Sequence, residues 1–110
     1  MKLSLVVPCY NEEENVAAFQ KAVMHAFQGC GYAYEIIYVD DGSSDQTLPE
    51  LEKLYAAQDC PVSVISFSRN FGKEAGLYAG LSRAKGDYIS LIDADLQQRP
   101  ELVREMVEIL

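Results

Sequence analysis

Four short apolar runs rich in β-branched residues, Leu3 to Val7, Glu35 to Val39, Val62 to Phe67 and Tyr88 to Ile92, alternate along the chain with stretches of helical spacing. Runs of this length and composition are strand signals, and apolar residues recurring at three- and four-residue intervals are helix signals. The first helical stretch carries Val16, Phe19, Val23 and Phe27 behind Glu12-Glu13-Glu14, acidic residues that suit a helix N-terminus. The second places Leu48, Leu51 and Leu54 behind Asp45 as N-cap and tolerates Pro49 in its first turn. The third runs from Lys73 to Ala84, and the fourth holds Val103, Met106, Val107 and Leu110 behind Pro100. Repeated strand–helix alternation predicts an α/β fold: a Rossmann-like parallel sheet with right-handed crossovers and flanking helices.

The 110 residues, 49% of them hydrophobic, suffice for one core and one domain spanning 1–110, with no internal repeat or linker. Seventeen Asp plus Glu against nine Lys plus Arg, a formal charge of −8, argue against a nonspecific grip on nucleic acid. An anionic ligand therefore needs a local cationic pocket. No apolar run approaches the roughly 18 residues of a membrane span, and Met1-Lys2-Leu3-Ser4 is not a signal peptide. Three widely spaced cysteines, Cys9, Cys30 and Cys60, form no C-x-x-C pair and read as reduced thiols of a cytoplasmic chain. The fourth helix runs to the last residue without a stop signal, so a truncated chain is expected, with uncovered apolar faces that favour homo-oligomers.

In a parallel sheet ligands bind beyond the carboxyl ends of the strands. The unusual polar residues stand at those ends: Pro8-Cys9-Tyr10-Asn11-Glu12, Asp40-Asp41-Gly42-Ser43-Ser44-Asp45, Ser68-Arg69-Asn70-Phe71-Gly72-Lys73 and Asp93-Ala94-Asp95-Leu96-Gln97. Asp93 and Asp95, at i and i+2 where a strand leaves its sheet, suit one hard divalent cation, Mg²⁺ or Mn²⁺, whose shell is completed by water and substrate phosphates. The same pair also reads as an ordinary solvated turn. Arg69 and Lys73 flank Gly72 where the third helix begins, a place that favours phosphate oxygens or is simply a basic loop. Gly76 and Gly80 read as close packing against the sheet.

Asp40 and Asp41 end the second strand, where a dinucleotide site keeps an acidic residue, but no G-x-G-x-x-G follows the first strand. Tyr10 instead suits the flank of a base, with Asp41 accepting its ring N–H, while Asp41 to Asp45 also makes a turn and a cap. His25 reads as a surface residue, and Cys9 has no neighbouring base in sequence. A phospho-acceptor receiver domain, similar in length, needs its acidic cluster after the first strand and a Lys after a fifth; neither is present.

Taken together and in order, the four blocks resemble family 2 glycosyltransferases, and most closely their polyprenyl-phosphate branch, over the whole chain. The resemblance implies the nucleotide-binding half of a GT-A fold, a nucleotide-diphosphate sugar donor and a Mg²⁺ or Mn²⁺ ion. It also implies inverting transfer to a lipid phosphate at the cytoplasmic face of the membrane. Carried onto this chain, Pro8, Tyr10, Asn11, Glu12 and Asp41 belong to the nucleoside side and Asp40 supports that turn. Asp93, Ala94 and Asp95 with Gln97 fall at the metal and diphosphate, and Arg69 and Lys73 on the donor side of the cleft. The family continues well beyond this length, so the piece is expected to bind donor without turning it over. Alternatives are a non-catalytic nucleotide-sugar-binding module and transfer to a saccharide acceptor.

Overall fold

The computed structural model describes residues 1–109, so Leu110, assigned to the fourth helix, lies outside the described residues. The elements alternate as β1 (Lys2–Cys9), α1 (Val16–Ala26), β2 (Ala33–Asp40), α2 (Thr47–Ala57), β3 (Val62–Ser66), α3 (Lys73–Arg83), β4 (Tyr88–Leu91) and α4 (Pro100–Ile109). They build one parallel sheet in the order β3-β2-β1-β4, the α/β architecture expected from the alternation. β1 runs beside β2 from Lys2↔Ala33 to Cys9↔Asp40, whereas β4 accompanies β1 only from Leu3↔Tyr88 to Val6↔Leu91.

β1 and β2 are nearly continuous buried strands because helices cover both faces. On one face Leu3, Leu5, Val7, Ile36 and Tyr38 meet Val16, Phe19 and Val23 of α1, Leu51 of α2 and Val103 and Val107 of α4. The Tyr38 hydroxyl donates to Gln20 Oε1 at 2.9 Å, which satisfies a polar pair inside that core. On the other face Val6, Ile37 and Val39 lie under α3 with Ile65, Phe67 and Ala84. Side chains left exposed include Tyr78 and Leu81 of α3, Tyr88, Ile89 and Leu91 of β4, and Met106 and Ile109 of α4.

Several boundaries shift from the sequence reading. β1 continues through Pro8 to Cys9, because β4 stops opposite Val6 and the missing Pro8 N–H falls where no strand asks for it. Glu12, Glu13 and Glu14 lie in a turn before α1 rather than inside it, with the Glu12 carbonyl accepting the N–H groups of Asn15 and Val16 at 2.9 and 3.2 Å. α2 begins at Thr47 with Gln46 as its N-cap, so Asp45 is not the cap; it stands two residues before the helix, where its Oδ1 still accepts the Thr47 N–H at 2.9 Å. His25 is exposed, and all three cysteines are free thiols.

Candidate functional site

The chain order β1, β2, β3 moves one way across the sheet, and β4 lies on the opposite side of β1. The crevice of such a sheet opens beside the carboxyl end of β1, at that reversal. An open cleft of about 180 Å³ is found there. Its less polar walls are Pro8, Cys9, Tyr10 and Gly76, and its charged groups are Glu12, Asp41, Lys73 and Asp93. A larger hollow of about 320 Å³ lies beside the edge strand β3 and carries only Glu52 and Arg83 as charged groups; no strand-end carboxylate reaches it. The convergence of charge marks the smaller one as the candidate site.

Two loops lock together beside the cleft, and Asp41 is the residue that joins them and lines it. Asp40, buried, accepts the Ser43 N–H at 3.3 Å and rounds the turn after β2. Gly42, at φ +68°, presses so closely on the next loop that a Cβ there would stand 2.2 Å from the Arg69 carbonyl carbon. The buried carboxylate of Asp41 receives the N–H of Phe71 on Oδ1 at 2.8 Å and that of Gly72 on Oδ2 at 3.1 Å. A base N–H approaching Asp41 therefore meets oxygens that each already accept one backbone donor, and must share their remaining lone pairs.

Asn11, at φ +53°, is a connector: its N–H donates to Ser43 Oγ and its Oδ1 accepts the Ser44 N–H, both at 2.9 Å. Glu12 is held in the cleft wall by its own N–H on Thr47 Oγ1 at 2.8 Å and by Asn15 Nδ2 on Oε2 at 2.9 Å. Tyr10, 48% exposed, stands at the mouth. Of the two cations expected near the donor, only Lys73 lines the cleft, with Nζ 3.8 Å from Asp93 Oδ1. The Arg69 guanidinium instead stacks 4.8 Å over the Phe71 ring, outside the lining.

Asp40, Asn11, Ala94, Asp95 and Gln97 likewise do not line the cleft. The Ala94 methyl is buried in the core between half-buried Asp93 and exposed Asp95, and Asp95 Oδ1 accepts the Gln97 N–H at 3.1 Å. What Gln97 visibly contributes is thus a backbone donor to Asp95. Among the described residues no group of three or more His, Cys, Asp or Glu is placed to enclose a metal. Two solvent-open carboxylates at the end of β4 do fit a hard cation that takes the rest of its shell from water and phosphate oxygens. Burial, and then the charges of Glu12, Asp40 and Asp93, push the Cys9 thiol well above its ordinary value, which disfavours the thiolate and fits Cys9 as part of the cleft wall.

Two features of the site lie outside what sequence reading found. The Asp41 clamp joins residues some thirty positions apart, and no local pattern signals it. Gly76, read only as packing, also forms cleft wall; its place three residues after Lys73 on one helix face is the signal that would have found it.

Residues 4–110 match the family model described as glycosyl transferase family 2. The chain is 45% identical over 108 residues to the prophage bactoprenol glucosyl transferase homolog of Escherichia coli K12, covering 98% of this chain and 35% of that protein. It is 36% identical over 108 residues to the undecaprenyl-phosphate 4-deoxy-4-formamido-L-arabinose transferase of Sodalis glossinidius, covering 98% and 33%. The chain thus spans about a third of the length of these relatives. Among solved structures, Staphylococcus aureus TarS 1-349 in complex with UDP-GlcNAc superposes with a TM-score of 0.75 at 25% identity, over 98% of this chain and 30% of that one. The Pyrobaculum calidifontis mannosyltransferase PcManGT shares the fold, with a TM-score of 0.73 at 23% identity over 84% and 27%. With the family model covering nearly the whole chain, the chain belongs to glycosyl transferase family 2.

Proposed function

We propose that the chain is the donor-binding part of an inverting glycosyltransferase that moves a sugar from a uridine or guanosine diphosphate sugar to a polyprenyl phosphate. The observation that carries this reading is the cleft at the β1/β4 reversal, where Lys73 and Asp93 face each other beside Tyr10 and Asp41. Pro8, Tyr10, Glu12 and Asp41 form the nucleoside side, and Lys73 faces the diphosphate. Asp93 and Asp95 would hold Mg²⁺ or Mn²⁺, which stabilises charge growing on the leaving diphosphate. A solved relative at 25% identity carries UDP-GlcNAc, which supports a nucleotide-sugar donor, and the bactoprenol and undecaprenyl-phosphate relatives support a lipid-phosphate acceptor.

The chemistry is displacement at the anomeric carbon. An acceptor phosphate oxygen forms the new C–O bond as the bond to the nucleoside diphosphate breaks on the opposite face, its electron pair leaving with the diphosphate. Such an acceptor is already anionic and needs no strong base. No helix among the described residues is long and apolar enough to cross a membrane, and the lipid-phosphate acceptor is proposed to meet this part of the enzyme from a membrane face. At about a third of the length of its relatives, the piece is proposed to bind donor without completing transfer.

Calorimetric titration of UDP and of GDP, each with and without Mn²⁺, tests the reading on the wild type and on the Asp93→Ala, Asp95→Ala double variant. Metal-dependent binding of one nucleotide, lost in the double variant, is expected and names the base. Binding that ignores both the metal and the two substitutions would sink the assignment of the site.

A further inference from the structure

The backbone that carries the Lys73 side chain is anchored. The two residues before it donate their N–H groups to the buried Asp41 carboxylate, at 2.8 and 3.1 Å, so the first residue of α3 is fixed against the end of β2. From there Nζ lies 3.8 Å from Asp93 Oδ1, and Lys73 is the one cation among the residues lining the cleft. Arg69 is engaged on Phe71. The pair is open to water, with the Lys73 side chain 67% and the Asp93 side chain 50% exposed, and exposed pairs of this kind are weak and easily exchanged.

We propose that Lys73 is a built-in counter-ion of Asp93 that makes divalent metal and diphosphate bind as a unit. This rests on the donor site proposed above. A divalent cation arriving alone at Asp93 meets the Lys73 charge a few ångströms away and is repelled. A diphosphate brings negative charge that draws the ammonium off Asp93 onto phosphate oxygens, and the same cation then meets an unencumbered carboxylate. Because linkage is reciprocal, the metal raises nucleotide affinity by the factor by which the nucleotide raises metal affinity. Lys73 thus keeps the acidic end of β4 from holding a cation when no donor is present.

The test is titration of Mn²⁺ followed by the electron paramagnetic resonance signal of the free ion, with and without saturating UDP or GDP. It compares wild type, Lys73→Met, Lys73→Arg and Asp93→Ala. Removing one unit charge this close to the ligand is expected to tighten Mn²⁺ alone about five-fold in Lys73→Met. The same substitution lowers the nucleotide-induced gain in Mn²⁺ affinity by at least a similar factor, while Lys73→Arg keeps wild-type behaviour. One substitution thus moves the two measurements in opposite directions, which general damage to the fold does not do. Unchanged or weaker Mn²⁺ binding by Lys73→Met, with Asp93→Ala still abolishing it, overturns the counter-ion role and leaves the metal site standing. Mn²⁺ binding indifferent to Asp93→Ala overturns the metal site itself and this role with it.

Discussion

Gly42 shows how much of the site rests on one absent side chain. Its φ of +68° disfavours any L side chain, and the atoms a Cβ would strike are the Arg69 carbonyl carbon at 2.2 Å and the Asn70 nitrogen at 2.4 Å, both backbone. Backbone cannot swing aside as a flexible side chain does, so Gly42→Ala must part the loops that Asp41 joins. A loss of about 2–4 kcal/mol is expected from the strained conformation and the clash together. Urea unfolding of the variant measures it, and a loss below about 1 kcal/mol would show that the loops are not locked. Gly72, at φ +100° with nothing within 4 Å of its would-be Cβ, carries the conformational penalty alone. The sequence reading of Asp41 to Asp45 as a turn holds locally, and Asp45, though not the cap, accepts the Thr47 N–H. What the reading lacks is the far partner: Asp41 meets Phe71 and Gly72 only because the chain returns through β3. Arg69 and Lys73 are likewise alike in sequence, and only the fold separates them, one onto an aromatic ring and one into the cleft.

At the scale of elements, α3 packs closely on the sheet through its glycines. A Cβ on Gly80 would lie 2.3 Å from Val6 Cγ1, and one on Gly76 would make an ordinary 3.6 Å contact with Val39. The close packing read from the two glycines is therefore concentrated at Gly80. Gly80→Ala gains helix propensity of about 1 kcal/mol but overpacks by about 1–3 kcal/mol, so a net loss is expected. Val6→Ala removes the methyl groups in the way, and the double variant should lose about 1 kcal/mol less than the two single losses combined. Simple additivity in thermal or urea unfolding would mean that the helix shifts freely on the sheet. β1 and β2 were legible because both-face burial writes nearly unbroken apolar runs, β3 and β4, which stay partly exposed, because β-branched residues mark them, and the crossover helices because their apolar residues keep helical spacing. The ends were not. Whether Pro8 terminates β1 depends on where β4 stops, and whether Glu12 to Glu14 enter α1 depends on a turn whose carbonyl bonds only the structure displays.

Across the whole molecule, the sheet has an open edge that carries the candidate site and a closed opposite one. At the amino ends of β1 and β2, Ser4 Oγ donates to Glu35 Oε2 at 2.6 Å and accepts the Gly86 N–H at 2.8 Å, and Glu35 Oε2 also accepts the Lys85 N–H at 3.0 Å. The Asp87 N–H donates to the Lys2 carbonyl at 2.7 Å and Lys2 Nζ stands 3.9 Å from Glu35 Oε1, so the connection from α3 to β4 is fastened back onto β1. Glu35 is only 8% exposed. Burial by itself raises its carboxyl, but the Ser4 hydroxyl, the Lys85 N–H and the Lys2 and Lys85 charges outweigh it and hold the group below its usual 4.5. A carboxylate depressed in the folded state stabilises the fold fully above the unfolded value. That contribution is lost as the pH falls below 4.5 through the folded value. Glu35→Gln should therefore cost about 1–3 kcal/mol at pH 7, from weaker hydrogen bonds and a lost charge. The gap between wild type and variant should shrink as the pH is lowered from 5 to 3, whatever the other carboxylates do to both proteins alike. Urea unfolding of the pair across that range reads the gap directly; a gap that stays constant would mean that Glu35 holds the edge by shape and not by charge.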